Sequence, residues 1–367
     1  MSIQCQPRGV VPGGEGGSAC ERRFARSAGA NTIRAMRLLF TCCCALALLG
    51  CEGTAGEPDG GSPMRVDAGP FDAGPQVIEY DRFTLRTTGW PTGAQVRGAA
   101  VLDNVLFVAS DQGLLSLAAT ETRWVPVTTP LMGGQKPTSL NRVDQSLVMT
   151  AAGTSSGGLY VKPYDGTWAQ VPAAPPNPSW LLLKKSTDYL LATTGGLYAS
   201  ATLAGPWVRR SNANTPLFTA PLARLVAAPA QQKLFASAVN GPLFESVDLG
   251  ATWTAHSLRG AVEALAASGP VVLVSTAMDG QQRSDNYGST FRPAAMPIAE
   301  GVLLYAAEGT RFYAGGNGGL KTSGDDGLTF TDDSDGLPVG TPVRALFFAG
   351  SYVIVDTLQG PYLNQVP

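Results

Sequence analysis

One eight-residue pattern occurs three times in the sequence, as SVDLGATW at 246–253, SDNYGSTF at 284–291 and SGDDGLTF at 323–330. The copies begin 38 and 39 residues apart. In such a pattern the Asp or Asn side chain accepts backbone N–H groups, the glycine takes a positive φ, and the aromatic side chain packs between strands. The pattern therefore predicts a tight turn that recurs about every forty residues.

The fixed positions of this pattern resemble the Asp-box, or BNR repeat, of sialidase-like β-propellers. These positions are Ser246, Asp248, Gly250, Thr252, Trp253, Ser284, Asn286, Gly288, Thr290, Phe291, Ser323, Asp325, Gly327, Thr329 and Phe330. In families that carry the Asp-box, the turn is structural and lies on the propeller face opposite the ligand. The resemblance covers residues 77–367 as an architecture and is strong as a motif only over residues 240–331. It implies a fold and leaves the function open.

A series of aromatic residues extends the same spacing along the chain, with steps of 38 to 46 residues: Phe83, Trp124, Trp168, Trp207, Trp253, Phe291 and Phe330. Each repeat also contains an apolar strand followed by a turn and a short strand, such as Gly158-Leu159-Tyr160, which indicates a β-hairpin. Four short strands in about forty residues is the period of a propeller blade. The sequence therefore predicts an all-β, seven-bladed β-propeller of four-stranded blades.

The two ends of the repeat region match each other without a gap. The segment from Phe83 to Arg97 recurs at an offset of 247 residues as the segment from Phe330 to Arg344. Around Phe83 the chain thus carries a fourth, outermost strand that comes before any first strand, while the last unit stops after its third strand. Because these fragments complete one another, we expect an N-terminal outermost strand to close the last blade, which removes an open edge.

The N-terminal residues predict an export signal and a lipid anchor. All six cysteines lie within the first 51 residues, so no disulfide is expected in the propeller. Residues 36–50 start at Met36 and contain an apolar run too short to span a bilayer, which favours a signal peptide. The Leu48-Leu49-Gly50-Cys51 segment resembles the bacterial lipobox. In that family the chain is cut before the cysteine, so the resemblance implies that Cys51 is the lipidated mature N-terminus.

The segments on either side of the signal peptide predict no folded core. Residues 1–35 fit no signal-peptide n-region and are expected to be an untranslated or disordered extension, with Met36 as the start. Residues 51–76 carry the duplicated DAGP at 67–70 and 72–75 and are expected to form a flexible tether. Residues 77–367 would then be the propeller, anchored to a membrane of the bacterial cell envelope on the periplasmic side or the outer surface.

Charge and histidine content exclude several classes of partner. The formal net charge is −2, and without residues 1–50 it becomes −6, from 20 Lys and Arg against 26 Asp and Glu. Nucleic acid is therefore not expected as a partner. A single histidine, His256, excludes a multi-histidine metal site, and the acidic run at 325–335 lacks EF-hand spacing. We expect neither a metal nor another cofactor.

A ligand would bind at the mouth formed by the first residues of the innermost strands and by the turns between second and third strands. The repeat register places Arg97, Trp180, Glu263 and Arg344 at equivalent first positions and Asp111, Asp279 and Asp356 in the turns. An aromatic ring, two guanidiniums and scattered carboxylates suit a peptide, a glycan or an acidic group. Polar residues around a water-filled central channel have the same composition.

Three functions are compatible with these features. No complete catalytic set is present: a Ser-His-Asp triad would need His256 near an outermost strand, and the Arg-Ile-Pro segment of sialidases is absent. This favours a membrane-anchored, non-enzymatic module at the cell envelope that binds a protein or a glycan. The alternatives are an Asp-box glycoside hydrolase or lyase with a diverged site, and an assembly factor for a membrane complex that resembles the photosystem assembly propellers.

Overall fold

Strands dominate the computed structural model, which describes residues 82–185, 187–212, 217, 222–228, 233–294 and 301–365. The elements in these ranges are all β-strands. No helix in the described part of the chain is long and apolar enough to cross a membrane. The expected extension, signal peptide, lipidated Cys51 and tether lie outside the described residues.

The strands are short, as the repeat spacing predicts. The first fourteen in chain order are β1 (Thr84–Leu85), β2 (Val96–Leu102), β3 (Val105–Ser110), β4 (Gly113–Ala118), β5 (Val125–Val127), β6 (Lys136–Val143), β7 (Ser146–Ala152), β8 (Gly157–Pro163), β9 (Ala169–Gln170), β10 (Ser179–Lys185), β11 (Asp188–Thr193), β12 (Gly196–Ser200), β13 (Val208–Asn212) and β14 (Leu222–Ala227). They are followed by β15 (Leu234–Ala238), β16 (Phe244–Ser246), β17 (Thr254–Ala255), β18 (Val262–Ser268), β19 (Val271–Thr276), β20 (Gly280–Ser284), β21 (Arg292–Pro293), β22 (Val302–Glu308), β23 (Arg311–Gly316), β24 (Gly319–Ser323), β25 (Thr331–Asp332), β26 (Ala345–Ala349), β27 (Tyr352–Thr357) and β28 (Gly360–Gln365).

These strands form seven antiparallel sheets of four strands each. Blades 1 to 6 take four consecutive strands each, from β2–β5 for blade 1 to β22–β25 for blade 6. Blade 7 has the order β1-β28-β27-β26, so its outermost strand comes from the start of the chain. The predicted all-β, seven-bladed propeller of four-stranded blades is thus confirmed, including the closure of the last blade by an N-terminal strand.

The hydrophobic core is divided among the seven spaces between neighbouring blades. Each of seven buried clusters draws its side chains from two adjacent blades. Between blades 2 and 3, for example, Val148 and Leu159 pack with Leu182 and Leu191. Because successive side chains of a strand point to opposite faces, each middle strand supplies both of its neighbouring clusters. Apolar residues on both faces therefore hold the ring of blades together.

The blade that contains both ends of the propeller is fixed by backbone pairing and by an aromatic pair. In β1, Thr84 pairs with Leu363 and Leu85 pairs with Tyr362. The indole N–H of Trp124 in blade 1 donates to the carbonyl of Arg86 at 3.0 Å. The Trp90 ring meets the Trp124 ring edge to face, with centroids 5.4 Å apart. The N-terminal segment is therefore bonded to blade 7 on one side and to blade 1 on the other.

The three SxDxGxT-type turns share one set of side-chain hydrogen bonds. In blade 6, Asp325 Oδ1 accepts the N–H of Thr329 at 2.9 Å, and Ser323 Oγ accepts the N–H of Gly327 at 2.9 Å. The turns of blades 4 and 5 make the equivalent bonds through Asp248 and Asn286. All three lie between the third and fourth strands of their blades. Side-chain oxygens thus occupy the backbone donors that a sharp turn would otherwise leave unpaired.

The glycine of each such turn is required by close contact with the preceding blade. Gly288 of blade 5 has a φ of 74°, and a Cβ at this position would lie 2.2 Å from the Phe235 ring of blade 4. Gly250 makes the same approach to Leu197, at 2.2 Å. A side chain would therefore be both strained and overlapped with its neighbour.

Candidate functional site

The polar residues expected to bind a ligand lie on one face of the propeller. Because the strands of a blade are antiparallel, three features lie at the same end of each blade. They are the start of its first strand, the turn between its second and third strands, and the loop that arrives from the preceding blade. We call the face made by these ends the mouth face. The face that carries the three turns at 246–253, 284–291 and 323–330 is the far face.

A β-bulge marks the start of the innermost strand in six of the seven blades. The pairing register shifts by one residue at 96–98, 137–139, 179–181, 222–224, 262–264 and 302–304. The extra residues include Arg97, Trp180 and Glu263, which the repeat register placed at equivalent positions. In blade 7 the strand begins at Ala345, directly after Arg344. A bulge redirects a side chain out of the regular alternation.

Arg344 binds one buried carboxyl group at the junction of blades 7 and 1, and Arg97 acts on the same group electrostatically. Nη2 of Arg344 is 3.1 Å from Oδ1 and 3.0 Å from Oδ2 of Asp356, whose side chain is 2% exposed. The backbone N–H of Val96 also donates to this carboxyl, and Arg97 attracts it electrostatically. Arg97 itself is exposed and donates from Nη2 to Gln95 Oε1 at 2.9 Å. Two guanidiniums therefore share a single acidic group.

Burial outweighs these contacts in setting the protonation of Asp356. It raises the pKa of the carboxyl to about 6, while the Arg344 guanidinium, the Val96 N–H and Arg97 act in the opposite direction. The cost of desolvating an anion therefore exceeds the stabilisation that its cationic neighbours return. This group changes charge near neutral pH.

Glu263 and Trp180 lie elsewhere around the mouth. Glu263 is exposed, and its Oε2 accepts the hydroxyl of Ser275 at 3.1 Å. The guanidinium of Arg224 in blade 4 donates to the backbone carbonyl of Glu263 in blade 5. Trp180 is half-buried, and its indole N–H has no hydrogen-bond partner among the described residues. The structure therefore does not place Glu263 next to Arg97 and Arg344 as one charged cluster.

Asp279 and Asp111, which lie at turns of the mouth face, differ in how far nearby cations neutralise their carboxylates. Asp279 forms an ion pair with Arg259, with Nη2 and Oδ1 2.8 Å apart. It also accepts the backbone N–H of Arg259 at 2.7 Å, and this bond is the main reason that its pKa lies below the usual value. Asp111 accepts the backbone N–H of Gln95 at 2.9 Å and has no ion pair within the described ranges. Asp111 is the one with free charge.

The mouth face carries several exposed apolar side chains. Eleven large hydrophobic side chains are exposed in the described residues, and five of them lie on this face. They are Met132, Val239, Met278, Val339 and Leu358. Leu358 follows Thr357, whose carbonyl accepts a hydrogen bond from Arg344, and Val339 lies in the loop that leads to Arg344. Apolar and cationic groups thus adjoin each other on this part of the mouth face.

The single histidine is far from this cluster. His256 directly follows β17, an outermost strand, and its Nδ1 accepts the backbone N–H of Leu258 at 3.3 Å. Its ring packs edge to face on Phe291, with centroids 4.9 Å apart. Within the described part of the chain, no group of three or more His, Cys, Asp or Glu side chains is placed to hold a metal ion.

Asp356 is the residue whose environment the sequence did not predict. It was expected in a turn, but it lies within β27, opposite Ala345, and is buried. The equivalent position of the second strand is occupied by Ala109, Thr150, Ala192, Ser237, Ser275 and Gly315 in the other blades. An acidic residue among six small ones was the signal that a blade-by-blade alignment could have used.

No known protein family and no curated protein sequence matches this chain. Solved structures of β-propellers do match it. YCF48 from Cyanidioschyzon merolae is 15% identical to this chain, with a TM-score of 0.60. The match covers 79% of this chain and 99% of YCF48. A structure of YCF48 bound to a D1 peptide gives a TM-score of 0.61 at the same identity.

Two further neighbours come from bacteria. The extracellular domain of a protein described as a one component system from B. thetaiotaomicron is 14% identical, with a TM-score of 0.59, and the match covers 78% of this chain and 40% of that one. Virginiamycin B lyase from Staphylococcus aureus is 9% identical, with a TM-score of 0.57 over 78% of this chain and all of the lyase. At these identities the likeness establishes a shared β-propeller fold alone.

Proposed function

We propose that this chain is a lipid-anchored, non-enzymatic binding module of the bacterial cell envelope, and that its mouth face recognises a protein or a glycan. The observation that carries the proposal is the junction of blades 7 and 1, where Arg97 is exposed and Arg344 binds Asp356 and the carbonyl of Thr357, next to exposed Leu358. Cationic groups beside exposed apolar ones are typical of surfaces that bind a partner.

The chemistry of this junction favours a ligand with an acidic group. Asp356 accounts for one negative charge, whereas Arg97 and Arg344 supply two positive ones. The guanidinium of Arg97 is exposed, and its hydrogen bond is to a neutral amide, so it retains donors for a carboxylate. Exposed Leu358, which follows Thr357 in the turn that Arg344 contacts, offers an apolar side chain on the same face.

The turns and the structural neighbours support the same interpretation. The shared hydrogen bonds at 246–253, 284–291 and 323–330 are those expected of Asp-boxes, and we infer that these turns are Asp-boxes with a structural role on the far face. Among the neighbours, YCF48 has been captured with a D1 peptide. A propeller of this shape can therefore present a face to a peptide ligand.

Site-specific cross-linking in the native envelope tests the proposal. A photoreactive residue at Leu358, on the mouth face, should capture a partner, and one at Val247, on the far face, should not. Arg97→Ala should weaken the capture about tenfold, since one charge-assisted contact is lost. Arg142→Ala is the matched control, because Arg142 is also exposed on an innermost strand but at its far-face end. Equal capture from both faces, or capture that Arg97→Ala leaves unchanged, would contradict the proposal.

Membrane attachment is tested separately. The Cys51→Ser variant should stay unprocessed or be released from the membrane, because the acylated thiol would be the only anchor that the lipobox supplies. Fractionation of the cell envelope measures this. Normal membrane association of Cys51→Ser would refute the lipoprotein assignment and leave the binding proposal standing.

The alternatives have distinct readouts. A glycoside hydrolase or lyase would turn over a panel of sialosides and glycans, and Glu263→Ala would abolish that turnover, since Glu263 is an exposed carboxylate at the mouth. An assembly factor would capture one defined membrane complex through Leu358.

A further inference from the structure

A cavity of about 510 Å³ lies over blade 1, on the mouth face. Its wall is formed by the turn at Asp111, the ends of β4 and β5, and the loop that leads to Lys136 in blade 2. A volume of this size is typical of sites for small ligands, which occupy roughly 300–1,000 Å³. It is too small for a folded partner.

The lower wall of this cavity is apolar and rigid. Val127 and Leu131 are half-buried in this wall, above the fully packed Leu114 and Leu115. Three prolines, Pro91, Pro126 and Pro137, also line the cavity, and a proline fixes its backbone φ. The cavity therefore offers a preformed surface for an apolar side chain.

The amide side chains in the wall are already held by the protein. Gln112 Nε2 donates to the carbonyl of Thr92 at 3.0 Å. Gln135 Oε1 accepts the hydroxyl of Tyr160 at 2.5 Å, and its Nε2 donates to Ser156 at 3.3 Å. These groups fix the shape of the cavity and have little capacity left for a ligand.

Two charged groups of opposite sign remain available. One oxygen of Asp111 accepts the Gln95 N–H and the other is free. The Lys136 ammonium is exposed and has neither a hydrogen bond nor an ion pair to another described residue. The two residues line the same cavity without pairing with each other. One cation and one anion above an apolar wall match a molecule that carries both charges and an apolar body.

We propose that this cavity, which we call the blade 1 cavity, binds a short zwitterionic peptide with apolar side chains. Lys136 would bind the peptide's carboxylate, Asp111 its ammonium group, and Val127 and Leu131 its side chains. A single cation is too few for a polyphosphate, and none of the lining residues is aromatic, which disfavours stacking against a sugar. The blade 1 cavity lies on the same mouth face as the junction of blades 7 and 1, but this proposal does not rest on the binding proposed at that junction.

Calorimetric titration of the full chain with leucyl-leucine tests this inference. We expect saturable binding with one site. Acetylation of the peptide's N-terminus and amidation of its C-terminus should each weaken binding about tenfold, since each removes one charge-assisted contact. Absence of saturable binding, or equal binding of the doubly blocked peptide, would overturn the proposal.

Variants assign each charge to its partner. Lys136→Met should bind leucyl-leucine about tenfold more weakly and should no longer distinguish it from the amidated peptide. Asp111→Asn, which keeps the acceptor for the Gln95 N–H, should no longer distinguish the free from the acetylated peptide. The controls Lys162→Met and Asp165→Asn, at the far-face end of blade 2, should behave as the wild type. If Lys136→Met retains the full preference for a free C-terminus, Lys136 does not bind the peptide carboxylate. This conclusion would hold whether or not the cross-linking experiment with Arg97→Ala supports the proposed function.

Discussion

The buried carboxyl of Asp356 should make the stability of the propeller depend on pH above the range of the other carboxyls. Its pKa is raised from 3.8 to about 6 in the folded protein because burial disfavours the anion. The folded state therefore binds the proton more tightly than the unfolded state does. This contribution favours folding below the unfolded pKa and is lost as the pH rises through about 6.

The size of the effect follows from the pKa shift. One pKa unit corresponds to about 1.4 kcal/mol, so ionisation of Asp356 costs the folded state about 3 kcal/mol in full. Between about pH 5 and pH 7, the linkage relation gives a loss of about 1.3 kcal/mol in the free energy of unfolding. For a domain of this size the loss lowers Tm by about 2 °C.

Comparison with Asp356→Asn isolates this contribution. Asparagine keeps the shape of the side chain and an oxygen acceptor for the Val96 N–H, but it does not titrate. Thermal unfolding of both proteins from about pH 5 to pH 7 should show the wild type losing about 2 °C more than the variant. Asp165→Asn, at an exposed carboxylate, is the control and should follow the wild type. Parallel profiles for wild type and Asp356→Asn would refute the assignment of a raised pKa to this group.

Three further substitutions test contacts between blades and within one turn. Gly288→Ala should lower the free energy of unfolding by about 2 kcal/mol, because its Cβ would overlap the Phe235 ring. Gly280→Ala, also at a positive φ but in open space, should cost about half as much. Equal losses would show that the contact with Phe235 is unimportant. Trp124→Phe removes the bond to the Arg86 carbonyl and should cost about 1 kcal/mol in denaturant unfolding, and an unchanged midpoint would mean that this bond does not fix the N-terminal segment. Hydrogen bonds from Thr329 and Ser323 hold the pKa of Asp325 at about 2, so it stabilises the fold above about pH 4 and loses this effect as the pH falls toward 2. Asp325→Asn should therefore reduce the loss of Tm over that acid range, and identical acid profiles would contradict this.

The number of blades and the closure of the ring could be predicted because both leave a periodic record in the sequence. The match between the segments at Phe83 and Phe330 includes glycines that pack closely on the backbone of a neighbouring segment. Gly336 is one of them: a Cβ at this position would lie 2.1 Å from the carbonyl oxygen of Phe83. Gly89, 247 residues earlier, makes the equivalent approach to the carbonyl oxygen of Trp124, at 2.3 Å, so the two ends of the repeat region keep the same residues.

The local geometry of the mouth could be predicted only in part. The repeat register identified the residues that stand at the start of each innermost strand, but not that six of them are bulged, because a bulge depends on the pairing with a second strand. The environment of Asp356 includes the N–H of Val96 and the charge of Arg97, which belong to blade 1 and are more than 250 residues away in sequence. Only the closed ring brings them together.

The neutralisation of individual charges decides which mouth residue is available to a ligand. Asp279 already pairs with Arg259, and the Glu263 side chain accepts a hydroxyl from its own blade. Arg344 is bound to Asp356. Arg97 differs from all of these because its hydrogen bond is to a neutral amide and the nearby carboxyl is shared with Arg344. At the junction of blades 7 and 1, an acidic ligand therefore gains more at Arg97 than at Arg344, and the proposed binding at this junction depends on Arg97.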